Sequence, residues 1–282
     1  MLRAALVTPL SGPLGGYGRA GAAALSLWAA WRGRGVPAGV ELTVADAHPD
    51  PGAAVQRAER RAPDLLFGPY GSSTTAAVAG ATSRLVWNHG GARVAATGNL
   101  VSVLAPADSY FRGAVRAVRE ADPALRTLYV LSSDTGFSRA VAAGAVNEAG
   151  RLGLPAAEGT LPVADGGWPA GVDEEGMLLV AGPFQDEATA ARRLLPGRWR
   201  AAGFVGAGVE EVLAGLGAGR EGLLGPAQWL AEAATSRRGP ARRRVRRRLP
   251  PPYRRRAAVP GRAGLRRRGD RGAVPPGGGN RR

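Results

Sequence analysis

Short apolar runs alternating with stretches of helical periodicity constrain this chain more than any other feature. The runs occupy residues 3–7, 41–45, 65–67, 93–96, 127–131, 177–181 and 202–205. Between them apolar residues recur at three- and four-residue spacing, as in Ala20, Ala24, Leu27, Trp28 and Trp31, or Phe111, Val115 and Val118. Val78, Ala81, Leu85 and Val86 form another such face, then Val141, Ala145 and Ala149, then Ala188, Ala191 and Leu195, then Val209, Val212 and Leu216. Asp50 before Pro51 reads as a cap plus a first-turn proline, opening a helix through Arg61. Runs that short, separated by helices, predict parallel α/β layers. Residues 1–104 hold four strand–helix units and residues 105–224 three more. Passages between the blocks are expected near 103–106 and 224–226, with residues 225–234 crossing back toward the first block.

The 282 residues include no cysteine, which excludes disulfides, thiolate metal sites and cysteine nucleophiles. The formal charge is +16, and all 38 basic residues are arginine. Eighteen of them lie from Thr235 onward beside a single acid, Asp270, leaving 20 arginines against 21 acids in the rest. The body is thus nearly neutral, and no specific nucleic-acid partner is expected from the overall charge. No stretch has the length and apolarity of a transmembrane segment. No signal-peptide pattern precedes the first run, so a cytoplasmic location is expected for the chain as written, or else a start further upstream.

Three glycine-containing segments are candidates for chemistry. Gly16, Gly18 and Gly21 match a dinucleotide fingerprint, which raises a nicotinamide-dependent oxidoreductase as one reading. That fingerprint needs its first glycine directly after the strand, whereas eight residues, 8–15, intervene here, and Asp46, the acid that ends the next apolar run, comes 25 positions after Gly21. A wide loop over the edge of a cleft is the better reading, and no cofactor is expected. The second segment, "DLLFGPYGSSTTAAV", places Ser72, Ser73, Thr74 and Thr75 at a helix start. Hydroxyls there can cap, and together with free amides they form a notch for a carboxylate. The third, Ala95-Ala96-Thr97-Gly98-Asn99, is expected to close the fourth strand, so that Thr97 faces Ser72 across a ligand. The two histidines, His48 in a loop and His89 at an expected helix end, suggest neither a metal site nor a serine-hydrolase partner. Asp173, Glu174 and Glu175 read as a solvated turn.

Taken together, "ALVTPLSGPLGGYG", "VELTVADAHPDPGAAV", "LLFGPYGSSTTAAV" and "VAATGN" resemble the type I periplasmic-binding-protein family. Within it they are similar to the branched-chain amino-acid-binding proteins of ABC transporters. The resemblance covers about residues 3 to 233. It implies two Rossmann-like lobes with parallel sheets, joined by hinge crossovers and closing on a ligand. It also implies a binding protein rather than an enzyme, with an amino acid or similar small carboxylate as ligand and a permease as partner. A ligand-sensing domain detached from transport is the alternative. By position, Ser72 would bind the ligand carboxylate, and Ala95, through its carbonyl, and Thr97 would take the amino group or carboxylate. Tyr17, Phe137 and Phe184 would supply cleft aromatics. Where the family's amino-acid binders usually carry an acid, this chain has Ala207-Gly208, with Glu210 and Glu211 beyond. Either Glu210 bends in or the ligand is not an α-amino acid, and phenylalanines at two aromatic positions point to a less polar ligand.

From Thr235 onward arginine, glycine, proline and alanine make up 38 of 48 residues, too few apolar groups for a core, so residues 235–282 are expected to be disordered. These are the residue types that a GC-rich gene yields out of frame. Residues 245–253 and 259–269, back-translated with chosen synonymous codons and shifted by one base, read like helices of the family. A frameshift near Ala234 is therefore expected, leaving the fold incomplete at its C-terminus. Loss of four or five large apolar side chains from the first lobe would cost about 6–15 kcal/mol. A domain holds only about 5–15 kcal/mol in all, so the chain as written is expected to be unstable or partly folded.

Overall fold

A computed structural model describes residues 1–32, 39–95, 97–163, 175–197, 199–209 and 212–227, all within one compact unit, Met1–Gln228. The expectations for residues 228–282, for Asp173 and Glu174, and for Glu210 and Glu211 lie outside the described residues.

The first lobe runs β1 (Leu2–Thr8), α1 (Gly15–Arg32), β2 (Val40–Asp46), α2 (Pro51–Glu59), β3 (Leu65–Phe67), α3 (Ser72–Gly80), β4 (Val86–Asn88) and β5 (Leu100–Ser102). Its strands pair in parallel in the order β2-β1-β3-β4-β5. Ala4, Ala5, Leu6 and Val7 of β1 are all buried, as expected of a parallel strand covered on both faces. Asp50 caps α2 by accepting the Ala53 N–H at 2.9 Å, with Pro51 in the first turn, where its missing N–H costs nothing. Ala54, Val55 and Ala58 of α2 then pack with Val78 and Ala79 of α3 onto Ala5, Val7, Leu66 and Val86.

The chain passes to the second lobe through a short 3-10 turn, Ala107–Ser109. There follow α4 (Arg112–Ala121), β6 (Leu128–Ser132), α5 (Gly136–Arg151), β7 (Ala156–Thr160), β8 (Met177–Ala181), α6 (Phe184–Leu194) and β9 (Ala201–Phe204). The order is β7-β6-β8-β9, again parallel. Every residue of β8 is buried. Gly144 brings α5 so close to the passage that a methyl group there would fall 1.8 Å from the Asp108 carbonyl oxygen. The buried Glu148 of α5 accepts two hydrogen bonds from Arg116, at 3.0 and 2.7 Å, tying α4 to α5. Leu224 bridges to Gly203 in β9, and Gly225 and Pro226 pack against Ala207 and Gly208, so the chain stays with the second lobe through Pro226.

Three expectations are corrected. Residues 93–95 form no strand; the place beside β3 goes to Val86–Asn88, whose run sits inside what the periodicity reads as a helix. Val86 therefore belongs to β4, and His89 follows a strand rather than ending a helix. Residue 209 and residues 212–216 form no α-helix, and 3-10 turns lie at Val205–Gly208 and Ala214–Arg220. An unexpected edge strand, β7, is mostly exposed and carries no apolar run to betray it.

The lobes differ in cover. No residue of β2 is fully buried, and Leu42 and Val44 remain half-buried. Local opening is easiest where few apolar groups are buried. Hydrogen exchange should therefore find the β8 amides at least tenfold more protected than those of β2. Equal protection would contradict this difference in cover.

Candidate functional site

In a parallel α/β sheet the strand ends and following helix starts share one edge, and ligands bind there. In the first lobe this edge carries three loops. The loop after β1 is pinned by Asp46, which accepts the Leu10 N–H at 2.8 Å, the His48 N–H at 2.9 Å and the Ser11 hydroxyl at 2.7 Å. Burial opposes ionisation of Asp46, yet these hydrogen bonds hold its carboxyl down at about 2. Asp46 thus acts on the loop, and Gly16, Gly18 and Gly21 lie within α1 rather than in a tight turn. A methyl group on Gly18 would fall 1.6 Å from the Pro9 carbonyl oxygen, so this glycine serves backbone packing. The geometry of a dinucleotide fingerprint is absent from this segment.

The loop after β3 turns at Gly71, whose φ of 97° favours glycine, and delivers Ser72 to the first turn of α3. Ser72 does not cap its own helix. Its Oγ accepts the Arg93 N–H at 3.1 Å, leaving the hydroxyl proton free to donate. Ser73 is exposed one residue further on. The loop after β4 is built on Asn88, fully buried, which sequence reasoning missed. Its amide donates to the Gly91 carbonyl and the Ser102 hydroxyl, both at 2.9 Å, and its carbonyl accepts the Gly91 N–H at 2.7 Å. Gly71 N–H donates to the Gly90 carbonyl at 3.0 Å, which ties the two loops together. His89 lies beneath α1 at Gly21, its Nδ1 buried without a partner among the described residues. Burial holds its pKa below the usual value.

The partner of Ser72 across these loops is therefore the segment Gly90–Arg93, not Thr97. Thr97 donates to Asn99, and the Asn99 amide donates to the carbonyls of Ala79 and Thr82, at the C-terminal end of α3. Ser72 stands at the other end of that nine-residue helix, about 13 Å away along its axis at 1.5 Å per residue. The reason is topological. A chain leaving β4 must return to the far edge before β5 can pair in parallel, and residues 93–95 and 97–99 lie on that return. Ala95 is exposed, two residues beyond Arg93. The signal that could have found this lies in Leu85-Val86-Trp87, an apolar run ending in Asn-His-Gly-Gly, a turn mark.

The second lobe presents α5, capped by Thr135, and α6, which opens at Phe184. Tyr17 of the first lobe meets Phe184 of the second edge-on at 5.1 Å and stacks on Tyr70 at 4.8 Å. Two of the expected aromatics are thus together, with Tyr70 as a third that the sequence did not single out. Phe137 packs on Tyr110, 5.6 Å between centroids. Burial, with Tyr17, Tyr110 and Glu187 nearby, pushes the Tyr70 hydroxyl up to about 12.

Glu187 was likewise not singled out. It is fully buried in the first turn of α6 and accepts the Gly182 N–H at 2.9 Å and the Gly206 N–H at 2.6 Å. Burial raises its carboxyl to about 8 against the pull of those two amides. It braces the ends of β8 and β9 as a largely neutral acid. Its contribution to stability is complete below its ordinary value of 4.5 and is lost as pH rises through 8, because only the native state keeps the proton in between. His89, neutral in the fold, acts with opposite sign below 6.5. Between pH 6.5 and 8 the unfolding free energy should fall by up to about 1.4 kcal/mol per pH unit. Glu187→Gln should flatten that slope in urea titrations; an unchanged slope would contradict the assignment.

No family model and no curated protein sequence matches the chain. Solved structures do. The leucine-binding protein LivK of Thermotoga maritima superposes with a TM-score of 0.64 at 15% identity, covering 84% of this chain and 72% of that one. A solute-binding protein of an R. palustris ABC transporter, in complex with 4-hydroxybenzoate, gives 0.57 at 15% identity, covering 76% and 65%. The substrate-binding protein LivJ of Streptococcus pneumoniae, in complex with isoleucine, gives 0.54 at 14%, covering 72% and 64%. The chain thus spans 64% to 72% of the length of these three. Two parallel-sheet lobes joined at Val103–Phe111, with their strand ends meeting over Tyr17, Tyr70 and Phe184, give this chain the type I periplasmic-binding-protein fold.

Proposed function

We propose that this chain is a solute-binding protein that holds a small organic carboxylate between its lobes and delivers it to an ABC-transporter permease. The observation that carries this reading is the meeting of rings from both lobes, Tyr17 with Phe184, beside the hydroxyl and helix-start amides of Ser72. An opening cleft lets the ligand replace that ring contact, and closure then encloses it from both sides. Ser72 offers a hydroxyl donor and α3 its unpaired first-turn amides, which suit a carboxylate. Binding, not bond chemistry, is what such donors achieve here. The folds with bound isoleucine and bound 4-hydroxybenzoate support both an amino acid and an aromatic acid as ligand classes. Delivery to a permease requires action on the outer side of the membrane, which is where this reading puts the protein. Among the described residues no helix is long and apolar enough to cross a membrane.

A hydrogen bond to a charged group contributes about 1.5–3 kcal/mol. Ser72→Ala should therefore weaken binding of the carboxylate at least tenfold by titration calorimetry, with the thermal unfolding of the empty protein little changed. Thermal-shift screening of amino acids and aromatic acids identifies the ligand to titrate. Undiminished affinity in Ser72→Ala would refute this placement of the site.

A further inference from the structure

Arg93 stands out on the wall of the cleft. The peptide bond that precedes it is held at both ends: the Arg93 N–H donates to Ser72 Oγ at 3.1 Å, and the carbonyl of Ala92 accepts the Ala107 N–H at 2.9 Å. The side chain then reaches from the first lobe to the second. A methyl group on Gly136, the first residue of α5, would fall 2.6 Å from Arg93 Nη1 and 3.0 Å from its Cζ. The N-terminus of a helix carries partial positive charge, so a cation is disfavoured there. The carboxylate at that helix start, Asp134, is paired with Arg139. Among the described residues the Arg93 guanidinium has no carboxylate partner. The Arg93 guanidinium is exposed beside that positive helix end, and no carboxylate among the described residues neutralises it, so an anion is favoured there.

The rest of the wall narrows the anion. An ammonium in the same space would meet Arg93 as a like charge. Glu187, the acid at the β8 and β9 ends, is fully buried and has both oxygens engaged by the amides of Gly182 and Gly206. Tyr70 and Phe184 both contact the ring of Tyr17, one face-on at 4.8 Å and one edge-on at 5.1 Å. A flat ring fits that set of partners by the same offset and edge-to-face geometry.

We propose that Arg93 is the specificity-determining residue of the cleft, selecting an aromatic carboxylate that lacks an ammonium group over an aliphatic α-amino acid. This rests on the reading of the cleft as a carboxylate site. The carboxylate takes two parallel N–H bonds from the guanidinium and one O–H bond from Ser72, while the ring lies among Tyr17, Tyr70 and Phe184.

Three probes test it by titration calorimetry: benzoate, its neutral isostere benzamide, and leucine. Wild type should bind benzoate at least tenfold more tightly than either of the others. Arg93→Gln should lose at least tenfold for benzoate and less than threefold for benzamide, and Arg93→Lys should recover part of the loss. Equal losses for benzoate and benzamide would make Arg93 merely structural and overturn the proposal. So would leucine binding as tightly as benzoate, or an Arg93→Gln protein that still prefers benzoate. Ser72→Ala separates the two levels. If it weakens benzoate while Arg93→Gln does not, only the role of Arg93 fails. If Ser72→Ala leaves every probe unchanged, or wild type binds none of them, the cleft reading fails with it.

Discussion

Parallel strand pairing is the constraint on which the rest depends. When all strands of a sheet point one way, every strand end and every following helix start falls on the same edge. Here that happens twice, in the β2-β1-β3-β4-β5 sheet and in the β7-β6-β8-β9 sheet. The starts of α1, α3, α5 and α6 supply Tyr17, Ser72, Gly136 and Phe184 from those edges. The edges face each other, because Tyr17 touches Phe184 and Arg93 reaches Gly136. The cleft is thus a consequence of topology before it is a consequence of any single side chain.

Irregular turns at strand ends leave backbone groups in need of partners, and buried ones must find them. Three polar side chains meet that need. Asp46 gathers the amides of Leu10 and His48 and so positions the loop that leads to Tyr17. Asn88 closes the turn after β4, and Glu187 braces the ends of β8 and β9. None of the three needs to touch a ligand to matter. Each fixes backbone that presents a residue which can, and a fixed wall loses less freedom on binding.

The sequence was legible where local rules decide. The Asp50–Pro51 helix start, the buried runs of β1 and β8, and the Gly71–Ser72 turn each carry their own signal. It misled where a segment's direction depends on pairing. Leu85 and Val86 fit a helical face as well as a strand, and only parallel pairing with β3 decides for the strand. That one choice moved Thr97 to the far end of α3 and brought Arg93 to Ser72 instead. Tyr70 and Glu187 were missed for a related reason. A tyrosine beside a glycine turn and an acid in a first turn look ordinary until the two lobes are brought together.

The central claim is that the two lobes close on a ligand. Because the chain has no cysteine, a pair of spin labels can be placed without background. Gln56→Cys on α2 and Asn147→Cys on α5 are exposed positions, one on each lobe. Pulsed electron–electron distance measurement should show a broad interlobe distribution that narrows and shifts when benzoate is added at saturation. A distribution identical with and without a ligand that calorimetry shows to bind would contradict the account.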